Sequence, residues 1–489
     1  MTNLRTIFYY IGRIISSFSF IAFIHCILAI IMAEYSSAID FLITFSSFVL
    51  AGYILILLGK KGEITWVVGM VIVSLSWFFL MFLVAIPLFL SCHYLSYLDS
   101  CFDAMSGLAT VGFSLINDID HLSYSLNTWR FFFPYIAGQG IILVALVFLA
   151  SSPSGYGMYL GEGREDRILP NIASTARIIW SIAMLYLVVG ISILWLIGIN
   201  KDLGMVNAFF HAMWLYMSGW ATCGLSPTSS SVLFYYSPLI DLATMVVFIL
   251  GSVSFYLHYT VWTGKRLEIF KNTEIRTFLF TLGISFIFVS IGVVKSGLYH
   301  DFPSFFLNSL YHTTSAHATC GLSMVYPGYL IRWGEIALIG MVIAMGVGGS
   351  AGSTSGGIKI LRIGIIVKAL IQDIKSLAFP SSAVVCEKFH HIKDILLNDR
   401  LVRASMIIML SYISTYLIGA LVGIMYGYPF IKSLFESVSA TSGTGFSCGI
   451  VSSNMPSFMK IVYIFQMWAG RLEFISIFAI ISLILGRKR

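Results

Sequence analysis

An all-α polytopic membrane protein is the fold class that this sequence predicts, and three observations predict it. Of 489 residues, 58% are hydrophobic and only 10% charged, against roughly 25% charged in an ordinary soluble domain. Apolar runs near the ~20 residues that cross a bilayer recur along the whole length. Basic residues cluster between those runs, at Arg5/Arg13, Lys60/Lys61, Arg164/Arg167/Arg177, Lys265/Arg266/Lys271/Arg276, Lys359 through Arg403 and Arg487–Arg489, which hold 22 of the 29 Lys and Arg. The positive-inside rule makes these clusters cytoplasmic. Both termini then lie inside, in a cell membrane, and the number of crossings is even. The net charge of +7 is thus a statement about topology, and no nucleic-acid partner is expected. Seven cysteines without CxxC spacing imply neither a disulfide framework nor a zinc site. The first apolar run is long enough to stay as a span and no small-residue cleavage site stands out, so no cleavable signal peptide is expected.

Taken in order, ten crossings are expected, near 15–33, 40–58, 65–91, 130–151, 178–198, 238–262, 277–295, 334–372 (interrupted), 403–425 and 457–485. After the first two, the chain settles into span, short segment, span. The short segments, about 99–116, 207–225, 303–323 and 431–448, start like helices but are too short to cross, so each is a re-entrant element. The expected division is 1–62 for two leading transmembrane helices, 63–152 for a first helix–pore-loop–helix unit, 153–265 for a second and 266–372 for a third. A cytoplasmic linker at 373–402 and a fourth unit at 403–489 complete it.

The short segments carry a repeat. Ala221-Thr-Cys-Gly-Leu-Ser226 recurs letter for letter as Ala318-Thr-Cys-Gly-Leu-Ser323, with weaker copies at Ala109-Thr-Val-Gly-Phe-Ser114 and Ser442-Gly-Thr-Gly-Phe-Ser447. Aligned on Gly112, Gly224, Gly321 and Gly445, a serine lies six residues before each (Ser106, Ser218, Ser315, Ser439) and another two after. An aromatic lies ten before (Phe102, Trp214, Tyr311, Phe435). Small residues also serve close helix packing, but packing motifs sit within spans. These recur just after a segment too short to cross, once per unit.

Four quasi-equivalent bends at membrane depth suggest a four-fold ring of backbone carbonyls around a central pore. A desolvated monovalent cation needs such a ring to replace its hydration shell. Glycine suits the bend because alternating carbonyl directions demand φ > 0, and each short helix can aim its negative C-terminal end at the pore. Asp103 and Glu436 lie at matching positions in the first and fourth segments. Two readings stay open for them: raising the local cation concentration, or capping and ion pairing. Without a ring of acids, divalent ions fit poorly. His312 is expected to be a hydrogen-bonded packing residue.

The eighth crossing is broken by Gly346-Val-Gly-Gly-Ser-Ala-Gly-Ser-Thr-Ser-Gly-Gly-Ile-Lys359. Such backbone is tolerated at membrane depth only inside protein or beside a water-filled cavity. Gly352 and Gly357 stand at GxxxxG spacing, but Ile358 follows the second glycine, no strand precedes it and apolar spans flank it, so a phosphate-binding loop is rejected.

The span–pore–span units, the two leading helices, the Gly/Ser break and Gly470-Arg-Leu-Glu473 together resemble the TrkH/KtrB superfamily of potassium transporters, and the last signature resembles its TrkH branch. The resemblance covers essentially the whole chain. It implies that the filter is formed by Thr110, Val111 and Gly112; Thr222, Cys223 and Gly224; Thr319, Cys320 and Gly321; and Gly443, Thr444 and Gly445, with potassium bound through their backbone carbonyls. It implies an intramembrane gating loop under the filter, carried by Gly346, Gly348, Gly349, Ser350, Gly352, Ser353, Thr354, Ser355, Gly356, Gly357 and Lys359. Ser350, Ser353, Thr354 and Ser355 can satisfy the orphan groups of the broken helix. Arg471, midway along the last span, is implied to face the permeation path; the alternative is pairing with Glu473 or another buried acid. Lys359 and Arg362 are expected to snorkel to the cytoplasmic surface.

The expected function is potassium uptake without an organic cofactor or enzymatic activity, through a pore working as channel or symporter. A sodium-permeable or poorly selective relative is the first alternative, although related sodium-permeable transporters often carry serine where Gly112 stands. An organic-solute transporter suits broken helices but not a repeated filter, and a membrane enzyme would need an HExxH or GxGD motif that is absent from the sequence. The resemblance also implies a homodimer and a cytosolic nucleotide-binding regulatory subunit of the TrkA/KtrA type. The basic linkers near 164–177, 264–276 and 373–403 are candidate docking surfaces and equally suit anionic membrane lipids.

Overall fold

Two antiparallel helices, α1 (Thr2–Ile31) and α2 (Tyr35–Leu58), open the chain. They approach closely because glycines face each other: a Cβ on Gly12 would lie 2.7 Å from the Gly52 carbonyl oxygen. This pair docks on the first of four units. The computed structural model describes residues 2–140, 172–201, 203–326, 328–380, 387–391 and 393–486. The second half of the crossing at 130–151, the basic residues Arg164 and Arg167, Cys386 and the terminal Arg487–Arg489 lie outside the described residues.

Unit one comprises α3 (Trp66–Leu90), the short α4 (Tyr97–Leu108) and α5 (Tyr124–Gln139). Unit two comprises α6 (Ile172–Ile199), the short α7 (Met205–Trp220), and α8 (Pro238–Ser252) followed by α9 (Phe255–Trp262). After α10 (Glu268–Lys271), unit three has α11 (Thr273–Ser296), the short α12 (Phe302–His317), α13 (Glu335–Val347) and α14 (Ile360–Ala378). Unit four has α15 (Asp399–Met425), the short α16 (Phe430–Ser442), α17 (Ser457–Arg471) and α18 (Ile475–Gly486). Polar caps set several of these starts: Ser96 accepts from the Asp99 amide at α4, Asp301 from Ser304 at α12 and Asn398 from Leu401 at α15, satisfying orphan donors of the first turn.

The units pack as a closed cycle. The second helix of each lies against the short helix of the next: α5 on α7, α8 on α12, α13 on α16, and α17 back on α4. The short helices are thereby enclosed. Asp99, Ser100, Ser106, Ser218, Tyr311, Ser315, Phe435 and Ser439 are all buried, whereas Ile39, Leu196, Leu250 and Leu421 turn large apolar side chains outward, as a lipid-facing surface requires. Among the described residues six helices are long and apolar enough to cross a membrane, or up to eight if each of two bent pairs is one span. The other two expected crossings are 130–151, described as far as Gly140, and the interrupted 334–372.

Every second helix stops at a corresponding place. The last helical residues are Gln139, Ser252, Val347 and Arg471, each 26–28 positions after the glycine of its own unit. The chain turns by 99° between α8 and α9 and by 101° between α17 and α18. The expected crossings at 238–262 and 457–485 are therefore each bent pairs of helices. At the last bend Glu473 and Phe474 take positive φ, 50° and 63°, and at the first Gly140 has φ 108°.

The expected linker at 373–402 also acquires structure. The helix α14 continues to Ala378, and β1 (Lys388–His391) pairs antiparallel with β2 (Lys393–Leu396). This hairpin is tied to the start of α11, since the His390 amide donates to Thr273 Oγ1 at 3.0 Å. His391 Nδ1 lies 3.6 Å from the Glu274 carboxylate.

Candidate ion-conduction site

Each short helix ends in the same cap. Thr110, Thr222 and Thr319 take left-handed φ values of 53°, 48° and 52°, and Gly443 takes 75°. The next amide reaches back to the residue five before it: Val111 to the Ser106 carbonyl (2.7 Å), Cys223 to Ser218 (2.9 Å), Cys320 to Ser315 (2.8 Å) and Thr444 to Ser439 (2.9 Å). This is a Schellman-type ending, which normally places glycine at the left-handed residue. Three β-branched residues there are backbone outliers, of the sort that surrounding structure must hold in place. Their hydroxyls are what glycine could not supply.

The four glycines that follow close a ring. A Cβ on Gly112 would sit 1.9 Å from the Cys223 carbonyl oxygen, and on Gly224 2.0 Å from that of Cys320. On Gly321 it would sit 1.9 Å from the Thr444 oxygen, and on Gly445 2.1 Å from that of Val111. Each glycine thus touches the carbonyl just before the glycine of the next unit, and the relation returns to its start after four steps. All four have φ between 78° and 93°. The same four glycines line one cavity of about 300 Å³, with Ser114, Ser226, Ser323 and Ser447 among its walls. Among the described residues no three His, Cys, Asp or Glu side chains converge as a metal cluster.

Asp103 and Glu436 are not among the residues lining that cavity and hold the loops that follow the glycines. Asp103 accepts from the Leu115 amide (2.7 Å), Ser114 Oγ (2.7 Å) and Tyr94 OH (2.9 Å). Glu436 Oε1 accepts from Ser447 Oγ (2.6 Å) and the Cys448 and Ile450 amides (2.7 and 3.1 Å). Of the two readings left open for these acids, the capping one describes their contacts. His312 likewise donates from Nδ1 to the Asn308 carbonyl at 2.8 Å, leaving Nε2 as an acceptor.

The Gly/Ser-rich segment between α13 and α14 lies against the opposite side of the bends. Thr354 Oγ1 donates toward the Trp220 and Gly251 carbonyls, both at 2.8 Å, and is 3.3 Å from Thr222 Oγ1. The Gly356 amide donates to Thr319 Oγ1 at 2.8 Å, and that hydroxyl is 3.2 Å from Ser355 Oγ. At unit four, where Gly443 has no side chain, backbone meets backbone: a Cβ on Gly356 would lie 2.0 Å from the Ser442 carbonyl oxygen. At unit one the contact runs through Arg471, whose guanidinium donates to Thr110 Oγ1 (3.2 Å) and the Thr354 carbonyl (2.9 Å). It also reaches the Ala137 carbonyl at 2.5 Å. All four left-handed positions therefore meet the segment, directly or through one arginine.

Within the segment Gly348, Gly352 and Gly357 take positive φ, while Gly346 lies in the last turn of α13 and Gly349 packs its Cα against Ser355. Ser353 Oγ donates to the Ser350 carbonyl at 2.6 Å. Ala351 is held from outside, its amide donating to Glu274 Oε1 at 2.7 Å. Two expectations about charge are corrected here. Lys359 and Arg362 do not snorkel: both are buried, Lys359 Nζ donates to the Ser355 carbonyl, and Arg362 forms a buried ion pair with Glu473. Glu473 is therefore engaged by Arg362 across the α17–α18 bend, whereas Arg471 donates to carbonyl and hydroxyl oxygens.

A family profile described as "TrkH: Cation transport protein" matches residues 37–486. The chain belongs to the TrkH family of cation transport proteins. It is 32% identical over 482 residues to an uncharacterised cation transporter of Methanocaldococcus jannaschii, covering 98% of this chain and 96% of that protein. It is 25% identical over 428 residues to the Trk system potassium uptake protein TrkH of Escherichia coli K12, covering 85% of each. In fold it matches the crystal structure of the potassium transporter TrkH from Vibrio parahaemolyticus, with a TM-score of 0.82 at 24% identity over 97% of both chains. As a TrkH-family member it is a multi-pass membrane protein that transports cations rather than an enzyme. What sequence reasoning missed in this TrkH-family site is the Arg362–Glu473 pair, the Glu274 hold on Ala351 and the kinship of His312 with Asp103 and Glu436. The last was open to inspection, because all three residues stand nine positions before their glycine.

Proposed function

We propose that this TrkH-family protein takes up potassium through a filter formed by residues 110–112, 222–224, 319–321 and 443–445. The observation that carries the proposal is the closed cycle of glycine-to-carbonyl contacts. Backbone oxygens repeat four times around that ring, and a ring of carbonyls is the chemistry that substitutes for water around an alkali cation. The relatives named as potassium uptake proteins supply the identity of the ion. Residues 346–359 act as the gate, supported by their contacts with all four left-handed positions, and Arg471 restrains ion flow from the same side. Function as a symporter, a homodimeric assembly, docking of a cytosolic nucleotide-binding subunit on the basic linkers and cytoplasmic termini belong to the same reading. The positive-inside rule supports the last.

The test is ion flux from liposomes holding the purified protein, under a potassium and then a sodium gradient. Potassium flux that exceeds sodium flux is the expected result, and equal flux of the two ions, or none of either, refutes the proposal.

A further inference from the structure

We infer that the side chain nine residues before each filter glycine positions the filter's outer loop, and that a proline in unit two makes such an anchor unnecessary there. This rests on the filter reading. In unit one Asp103 accepts the Leu115 amide at 2.7 Å. In unit three His312 Nε2 accepts the Met324 amide at 3.2 Å, and in unit four Glu436 accepts the Cys448 amide at 2.7 Å. Each donor is the third residue after the glycine. The three anchors differ in charge and shape, so what unites them is an acceptor atom aimed at the same backbone amide, buried in units one and four and half-buried in unit three.

Unit two has Leu215 at the anchor position, which accepts nothing. The third residue after Gly224 is Pro227, which has no N–H to satisfy. Acceptor and donor are thus missing together in the one unit that lacks either. A buried amide left without an acceptor carries a desolvation cost, so the pairing of Leu215 with Pro227 is what the anchor function requires. The loop serine keeps its local bond in all four units, Ser226 Oγ accepting from the Thr228 amide at 3.2 Å as Ser114, Ser323 and Ser447 accept from Ile116, Val325 and Gly449; in units one, three and four that serine also meets the anchor side chain. The anchors lie one helical segment away from the conducting axis and act on it through the loop, which makes them positioning residues.

The experiment compares potassium-to-sodium permeability ratios from reversal potentials of the full chain in planar bilayers. His312→Leu should lower the ratio about fivefold, the size set by one unpaired amide. Adding Met324→Pro to His312→Leu copies the unit-two solution and should restore the ratio. In unit four, Glu436→Gln keeps an acceptor oxygen and should match the parent, whereas Glu436→Met should not, so the comparison survives if one variant fails to fold. A ratio unchanged in both His312→Leu and Glu436→Met while Gly112→Ser lowers it overturns the anchor role and leaves the filter standing. Insensitivity of the ratio to Gly112→Ser as well overturns the filter reading itself. A double variant no better than His312→Leu alone would also refute the role given to Pro227.

Discussion

Gly112→Ser is the substitution that asks most of the ring. A side chain there must hold φ near +93°, which costs about 1–2 kcal/mol for an L-residue. Its Cβ would also stand 1.9 Å from the Cys223 carbonyl oxygen, where real contacts do not fall under 3.0 Å. That oxygen must retreat by about 1 Å, twice the roughly 0.5 Å within which a binding constellation keeps its geometry. Because each glycine touches the next unit's carbonyl, the displacement enters unit two, whose own sequence is untouched. We expect the potassium-to-sodium permeability ratio to fall at least about tenfold, equivalent to ~1.4 kcal/mol of lost discrimination. Reversal potentials in bi-ionic solutions read it directly. The control is Gly297→Ser, at φ 64° with nothing within 4 Å of its Cβ, which bears the backbone cost without the clash and should keep the parental ratio. A normally folded Gly112→Ser protein with an unaltered ratio would refute the reasoning.

Further outcomes are expected from the surrounding contacts. Thr354→Val removes the donor to the Trp220 and Gly251 carbonyls; losing ~1–2 kcal/mol of closure should raise unstimulated flux by a factor of about 5–30, and unchanged basal flux would count against the gate. Glu473→Leu removes the carboxylate that pairs with the buried Arg362 and should lower stability by about 3–5 kcal/mol, read as a drop in Tm that Arg362→Met largely reverses; an unshifted Tm would contradict this. His390 in the hairpin is held by Glu268 and by Asp394 (2.6 Å), and these contacts raise its pKa above the ordinary value. A raised folded pKa means the contribution is full below about pH 6.5 and fades as pH climbs through the raised value. Hydrogen exchange over Lys388–Leu396, corrected for intrinsic rates, should therefore quicken with rising pH, and a flat profile that His390→Gln does not change would sink the assignment.

Much of the architecture was legible in the sequence because bilayer thickness imposes it. Apolar runs of fixed length, basic clusters and a hexapeptide repeated four times are local properties of the chain. The short helices lie within a few residues of the expected segments, as Met205–Trp220 against 207–225 shows. The breaks in units two and four escaped notice because they need only two or three residues, Val253-Ser254 and Leu472–Phe474, with no glycine-rich run to announce them. Charge partners were harder still. Arg362 and Glu473 are separated by 111 positions, and Arg471 bonds to carbonyls and a hydroxyl that carry no signature of their own. The hairpin at 388–396 was hidden inside a polar stretch that reads as plain linker.

The proposed gate beneath the bends is built mainly by one quarter of the ring, with Arg471 lent by unit four. Units two and four end their second helices with short turns, while unit three sends a dozen residues against the bends of the other units. Closure of this kind resembles a door hung on one jamb more than an iris drawn in from every side. Its latch points are unlike one another: a threonine toward unit two, an amide toward unit three, bare backbone toward unit four and a borrowed arginine toward unit one. The hinge side is gripped by Glu274 through Ala351, next to the hairpin that carries His391. If residues 346–359 gate as proposed, a stimulus applied to that one flank acts on the whole passage without having to move the rest of the ring.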